Sequence, residues 1–361
     1  YFSSVRLVMV VMLRALTAAA TLAAAAGFTM PMALRTPTAL RSAVAPAPER
    51  AAPSMAAIEP GAKCLVLGSG WIQLLTAKTA ALAGYQTYVF TSQDPEPAKE
   101  LIYSNACPRD SIPLTFLEIS DKEACEKVLS DLDAVLIASD SDVPVKPGVL
   151  NTVMPEGPDE KSKVKKIVFM SRNGASGREG SGEGLGFLIK GAKDFSNPDI
   201  WAGGEYVSAY TALEKKVMDK AKAIGADFTI VRAGTLKGGG PGLSSTQDGR
   251  QFPRAKDSLA EAIYKTGPAG RNWRAVFDTS TQGVEIVPGD KVKIPVAGWF
   301  SIKGAISFDV EPGDSSRLGV AGAMVQSLTQ DKAANTDFAV ATAVGRDPPT
   351  PEAWTKLFSS L

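Results

Sequence analysis

Gly68 and Gly70, one residue apart, stand between a short apolar run and a longer periodic one, in the stretch Lys63-Cys64-Leu65-Val66-Leu67-Gly68-Ser69-Gly70-Trp71-Ile72-Gln73. Glycine at the first position permits a tight turn, and at the second it lets backbone approach a pyrophosphate. Ser69, Trp71 and Ile72 complete a loop whose amides, with the positive end of the following helix, stabilise such an anion. Gln73 occupies the place of a third glycine, so its long side chain either pushes the helix outward or points into the phosphate site. Elsewhere the chemistry is limited by what is missing: the 361 residues include no histidine. That removes the commonest general base, the Ser/His/Asp and Cys/His nucleophile systems and most zinc sites. Acid–base work falls to Tyr, Lys, Ser, carboxylates or a bound cofactor. Cys64, Cys107 and Cys125 are far apart with no metal-ligand spacing, as befits reduced structural thiols.

The elements that must position the loop follow from periodicity. Lys63–Leu67 is a short buried strand, the segment after Gly70 is helical to Gly84, and Gln86–Phe90 alternates as a second strand, the order a dinucleotide-binding βαβ unit requires. The alternation then repeats: strand Leu114–Ile119, helix Lys122–Leu129 with Asp121 at its start, and apolar strand Leu132–Ser139. Strand Lys166–Ser171, long helix Glu205–Ile224 and strand Asp227–Arg232 come next, then the glycine run Gly238-Gly239-Gly240. Such alternation predicts an α/β fold, a doubly wound parallel sheet of Rossmann-like type. Val284–Val287, Lys291–Ile294 and Ala305–Val310 alternate around Pro288-Gly289-Asp290 and read as β-hairpin material in a small variable carboxyl-side lobe. The expected division is 1–57 targeting sequence, 58–242 core, and 243–361 variable lobe with a closing helix, strand and helix of the same domain. A formal charge of +1 and 45% hydrophobic residues leave no basic excess for nucleic acid.

Residues 1–48 hold Arg6, Arg14, Arg35 and Arg41 and no acid, with an Ala-rich run from Ala15 to Ala26 before Gly27-Phe28. A basic start, a short apolar stretch and small residues read as a signal peptide. The Ala, Pro, Ser, Thr and Arg of Thr29 to about Ala57 read as a transit peptide. In tandem they resemble the bipartite presequence of plastid proteins in algae with secondary plastids, which implies a stromal mature chain beginning near Ala57. The other reading is a membrane anchor over Val5–Ala26; it would span weakly, since Arg14 is central and Ala contributes little.

Lys166-Ile167-Val168-Phe169-Met170-Ser171-Arg172-Asn173-Gly174-Ala175-Ser176, Tyr210, and Gly225-Ala226-Asp227-Phe228-Thr229-Ile230-Val231-Arg232-Ala233-Gly234 resemble the atypical short-chain dehydrogenase/reductase superfamily, specifically its NmrA-like members. Leu132–Ala138 fits its fourth strand, and the tail from Arg317 fits its closing helix, strand and terminal helix. The resemblance implies NAD or NADP as cofactor, held by Gly68, Ser69, Gly70, Trp71 and Ile72, by Ser92 and Asp94 after the second strand, and by Ala138 and Ser139 after the fourth. Ser92-Gln93-Asp94-Pro95 lacks the Arg that pairs with a 2′-phosphate in many members, and Asp94 is either a ribose ligand favouring NAD or part of an Asp-Pro turn.

Members that reduce carbonyls use Ser, Tyr and a Lys four residues after the Tyr, which gives Ser171 and Tyr210 as the implied catalytic residues. The position four after Tyr210 is Glu214, and a carboxylate beside a phenol raises its pKa. Tyr206, Tyr210, Leu213, Val217, Ala221 and Ile224 also form a helical stripe, so both tyrosines have a packing alternative. The Asn173–Gly186 segment, rich in glycine, is either a flap over the site or a surface insertion. Two functions therefore stand open: an oxidoreductase with a degenerate site, or a non-catalytic scaffold or assembly factor with protein partners in photosynthetic complexes.

Overall fold

The computed structural model describes residues 57–91, 94–139, 162–173, 204–234, 236–242, 256–265, 283–290, 315–343, 345 and 347–361. Residues 1–56 of the expected targeting sequence, Ser92, the glycine-rich segment after Asn173, and the segments 291–294 and 305–310 that read as hairpin material lie outside them, as does the Tyr206 side chain. The sequence-predicted elements form in order, joined by one helix the sequence reading did not name, α2 (Glu96–Ile102): β1 (Lys63–Ser69), α1 (Gly70–Leu82), β2 (Gln86–Thr91), then after α2 β3 (Leu114–Glu118), α3 (Lys122–Leu129), β4 (Ala134–Ser139), β5 (Lys166–Arg172), α4 (Gly204–Ile224) and β6 (Asp227–Ala233). Then come β7 (Leu236–Lys237), β8 (Gly283–Pro288), β9 (Ser315–Ser316), α5 (Arg317–Gln326), β10 (Thr336–Ala343) and α6 (Pro351–Phe358). Asp121 starts α3 as expected, its carboxylate accepting from the Ala124 amide.

The main sheet has the order β3-β2-β1-β4-β5-β6-β10-β8, parallel except for β8, which runs antiparallel to β10. This is a Rossmann-like, doubly wound sheet whose switch point lies between β1 and β4. Val284–Val287 is thus a strand, and its partner among the described residues is β10. The described parts of 243–361 belong to the same sheet and core. Central strands are buried on both faces, so alternate residues feed two cores. Cys64, Val66, Leu136, Val168 and Met170 pack under α1, α5 and α6. Leu65, Leu67, Val135, Ile137, Ile167 and Phe169 pack under α4, with Val128 and Leu129 of α3 against them. The predicted stripe Tyr210, Leu213, Val217 and Ala221 is the face of α4 that enters this second core. Cys64, Cys107 and Cys125 are free and buried. Among the described residues no helix is long and apolar enough to cross a membrane, and no cluster of metal-ligating side chains occurs.

Candidate functional site

The carboxyl ends of β1 and β4 meet at the switch point in register, Gly68 beside Ala138 and Ser69 beside Ser139. Gly68 has φ +131, and a Cβ there would lie 1.6 Å from the Ala138 carbonyl oxygen, so no other residue fits. Gly70, at φ +74, opens α1 in the left-handed region. Ser69 is the N-cap of α1, yet its hydroxyl makes no capping bond. It pairs with the Ser139 hydroxyl at 2.7 Å, and no acidic residue occupies the first turn of α1. The positive end of the helix is therefore neither capped by this serine nor neutralised, which suits it to an anion. Gln73 takes neither course expected of it. It is buried, and its amide donates to the Val66 carbonyl of β1 at 3.3 Å, so a side chain replaces the close glycine packing and stays out of the loop.

Around this crevice the other implied cofactor residues take differing places. Ile72 is buried in the core under α1. The Trp71 ring lies 5.3 Å from the guanidinium carbon of Arg317, which donates to the Gly238 carbonyl at 2.9 Å. Gly238–Gly240 is buried, and the Arg317 link fixes it against the start of α1. Asp94 is exposed, and its carboxylate accepts from the Glu96 amide at 3.0 Å, the local bond of an Asp-initiated turn at the start of α2. Lys78, a charged residue on α1, is fully buried away from the loop and bonds the carbonyls of Ile102 and Ser258. Burial lowers its pKa.

Ser171 ends β5 with its side chain fully buried, and its hydroxyl has no hydrogen-bond partner among the described residues. Tyr210 is 2% exposed, part of the core beneath α4, with its ring stacked 6.1 Å from Phe169. Arg172 reaches over the end of β5. Its guanidinium carbon is 5.4 Å from the Tyr210 ring centre, and Nη2 donates to the Ser139 carbonyl at 3.3 Å. The Nη1 of Arg172 and both amide atoms of Asn173 are buried with no hydrogen-bond partner among the described residues. Sequence reasoning passed over Arg172 and Asn173. The available signal was a charged and an amide residue directly continuing an apolar strand past Ser171.

Glu214 is engaged with β6. Its carboxylate binds Arg232 of β6 in two bonds, to Nε at 3.0 Å and Nη2 at 2.8 Å, and Arg232 Nη1 also pairs with Asp337 of β10. Asp290 lies 3.9 Å from Arg232 Nε. Burial opposes the charge on Arg232, but the bonds to Glu214 and Asp337 outweigh it and hold the guanidinium above its ordinary pKa. The charge expected to act on the Tyr210 phenol is thus spent on a buried ion pair.

No family model matches the sequence, and no curated protein matches it. Solved structures do. A Bacillus halodurans protein described as an NAD-dependent epimerase/dehydratase aligns at 14% identity with a TM-score of 0.45, over 83% of this chain and all of that one. A wide-type short-chain dehydrogenase/reductase from Veillonella parvula, in complex with NADP, aligns at 12% identity with a TM-score of 0.39, over 77% and 94%. Yeast methylglyoxal/isovaleraldehyde reductase Gre2, complexed with NADPH, aligns at 13% identity with a TM-score of 0.42, over 77% and 75%.

Proposed function

We propose that this chain is a plastid NAD(P)-binding protein of the atypical short-chain dehydrogenase/reductase type, in which dinucleotide binding persists without the Tyr–Lys hydride-transfer machinery. The observation that carries the reading is Gly68, seated against the Ala138 carbonyl where any Cβ would collide, at the mouth of an uncapped helix start. A turn so constrained at a switch point suits a pyrophosphate better than it suits packing alone. Gly68, Ser69, Gly70 and the first amides of α1 would hold the phosphates, with Ser139 beside them. The dinucleotide, when bound, would supply a hydride donor or acceptor. The absence of an Arg from the stretch Ser92-Gln93-Asp94-Pro95 favours NAD over NADP.

The second half of the proposal rests on Tyr210 and Glu214. The phenol is packed in a core under the Arg172 guanidinium, and the helix position that a Lys would occupy is committed to Arg232. This favours the scaffold or assembly role, with protein partners, over turnover. The Arg-rich, acid-free residues 1–48 support the plastid assignment. Sequencing of the mature amino terminus from an algal plastid fraction should find it near Ala57, and retention of Phe28 refutes the bipartite presequence.

Titration of NAD and NADP in both redox states, followed by calorimetry, tests binding. Gly70→Asp places a carboxylate against the pyrophosphate and should abolish the heat while circular dichroism stays native. Aspartate tolerates positive φ better than most residues. Unchanged affinity in Gly70→Asp would place the dinucleotide elsewhere. Robust reduction of aldehydes, ketones or quinones, lost in Tyr210→Phe, would overturn the non-catalytic reading.

A further inference from the structure

Four side-chain atoms at the end of β5 have no hydrogen-bond partner among the described residues although each is buried: Ser171 Oγ, Arg172 Nη1, and Asn173 Oδ1 and Nδ2. Leaving such groups unpaired costs about 1–3 kcal/mol apiece, more where a charge is involved, so a cluster of four calls for an explanation. Arg172 is only 8% exposed, and no carboxylate pairs with it among the described residues; Tyr210's ring and the Ser139 carbonyl are its contacts there. By contrast Arg232, the penultimate residue of β6, has Glu214 and Asp337.

Their placement gathers them on one side. Strand alternation puts Ser171 and Asn173 on the face of β5 that carries Ile167 and Phe169, the face covered by Tyr210. Asn173 continues the ladder, its amide bonding the Ala233 carbonyl at 3.0 Å. Arg172 starts on the opposite face but carries its guanidinium across the strand end to Tyr210. The edge so formed adjoins Ser139, hence the crevice assigned above to the dinucleotide.

We propose that the β5 edge is a subsite for a small 2-hydroxy carboxylate, bound beside the dinucleotide. Arg172 Nη1 donates to the carboxylate. The ligand hydroxyl, with two lone pairs and one proton, accepts from both Ser171 Oγ and Asn173 Nδ2 and donates to Asn173 Oδ1, so one molecule offers a partner to each of the four atoms. A plain carboxylate satisfies Arg172 but leaves Asn173 Oδ1 without a donor. The subsite rests on the dinucleotide reading only for its neighbour, and no hydride step is part of it.

The test uses both enantiomers of lactate, with acetate as the ligand that lacks a hydroxyl, added at low ionic strength with and without saturating NAD. Thermal midpoint and calorimetry are the readouts. Lactate should bind the native protein more tightly than acetate does. Arg172→Met should weaken lactate by about 30-fold or more, the loss expected on truncating one partner of a buried charge pair. Asn173→Ala should erase the preference for lactate over acetate. In the absence of ligand, Arg172→Met should unfold at or above the native midpoint, because it removes a buried charge that has no counter-ion.

No lactate effect on the native protein, or one that survives in Arg172→Met, overturns the subsite. So does a marked fall in the unliganded midpoint, which would make Arg172 structural. If Arg172→Met instead abolishes NAD binding with lactate inert, the guanidinium serves the dinucleotide phosphates and the subsite is wrong. If lactate binds and NAD does not, the subsite stands and the dinucleotide reading fails.

Discussion

Replacing Arg232 by Met should destabilise the protein by about 3–5 kcal/mol, because the Glu214 carboxylate is then left buried without its partner. The side chains of Arg232 and Glu214 are 4% and 6% exposed, so water cannot substitute for either. Glu214→Met is milder, about 2–3 kcal/mol, since Arg232 keeps Asp337, whose side chain is 37% exposed and shares its charge with solvent. The double variant loses both buried charges together and should cost well under the sum, giving a coupling of about 2 kcal/mol or more. Against a total stability of about 5–15 kcal/mol these differences are easily resolved in urea unfolding followed by circular dichroism. Glu214→Lys, the change that sequence alone suggests for rebuilding a Tyr-x-x-x-Lys pair, sets an ammonium against Arg232 in the same buried space. It should be worse than Arg232→Met and yield no reductase. Arg232→Met costing less than about 1 kcal/mol, or a coupling near zero, would refute the buried pair as the reason Glu214 is where it is.

Gly68→Ala should fail to fold or lose several kcal/mol, of the order of an overpacked core plus a strained backbone, because its Cβ meets the Ala138 carbonyl and φ is +131. A soluble, native-like Gly68→Ala by hydrogen exchange would contradict the β1–β4 register. Lys166 is buried at the start of β5, and burial, opposed by Asp227 and Asp331, lowers its pKa from 10.5 to about 8. Between those values the unfolded chain holds the extra proton, so this residue's penalty is full below pH 8 and fades as pH rises to 10.5. Lys166→Met should accordingly be the more stable protein at pH 7, by at most about 3 kcal/mol, with the gap closing by pH 10.5. Taking the difference between the two proteins cancels Cys64, whose thiol burial pushes up from 9.0 to about 12 and whose contribution is lost as pH rises through that range. A gap that is constant with pH would show that Lys166 titrates alike in the folded and unfolded chains, as a well-solvated ammonium would.

The sheet was legible in the sequence because its central strands are buried on both faces, and a run such as Ala134–Ser139 has no other use for six buried residues. Gly68 was legible for a similar reason: a conformation that only glycine adopts leaves its mark in residue type. What escaped depends on partners distant in the chain. Glu214 lies one turn from Tyr210, and local spacing suggested that its charge would act there. Its direction is decided instead by Arg232, 18 residues on, and by Asp337 beyond that. Alternation marked Val284–Val287 as a strand without naming its neighbour, and among the described residues that neighbour is β10, some fifty residues later. Gln73 looked like an obstruction to a phosphate because residue type was compared with a glycine pattern. A long amide can equally turn inward and satisfy a strand carbonyl, as it does with Val66. The same logic bears on the β5 edge. Ser171 drew notice through a resemblance, whereas Arg172 and Asn173 acquire meaning only when burial leaves Arg172 Nη1 and both Asn173 amide atoms without the partners they would find in water. A buried guanidinium with no carboxylate partner among the described residues points to an anionic ligand on electrostatic grounds alone, independently of any likeness to another protein.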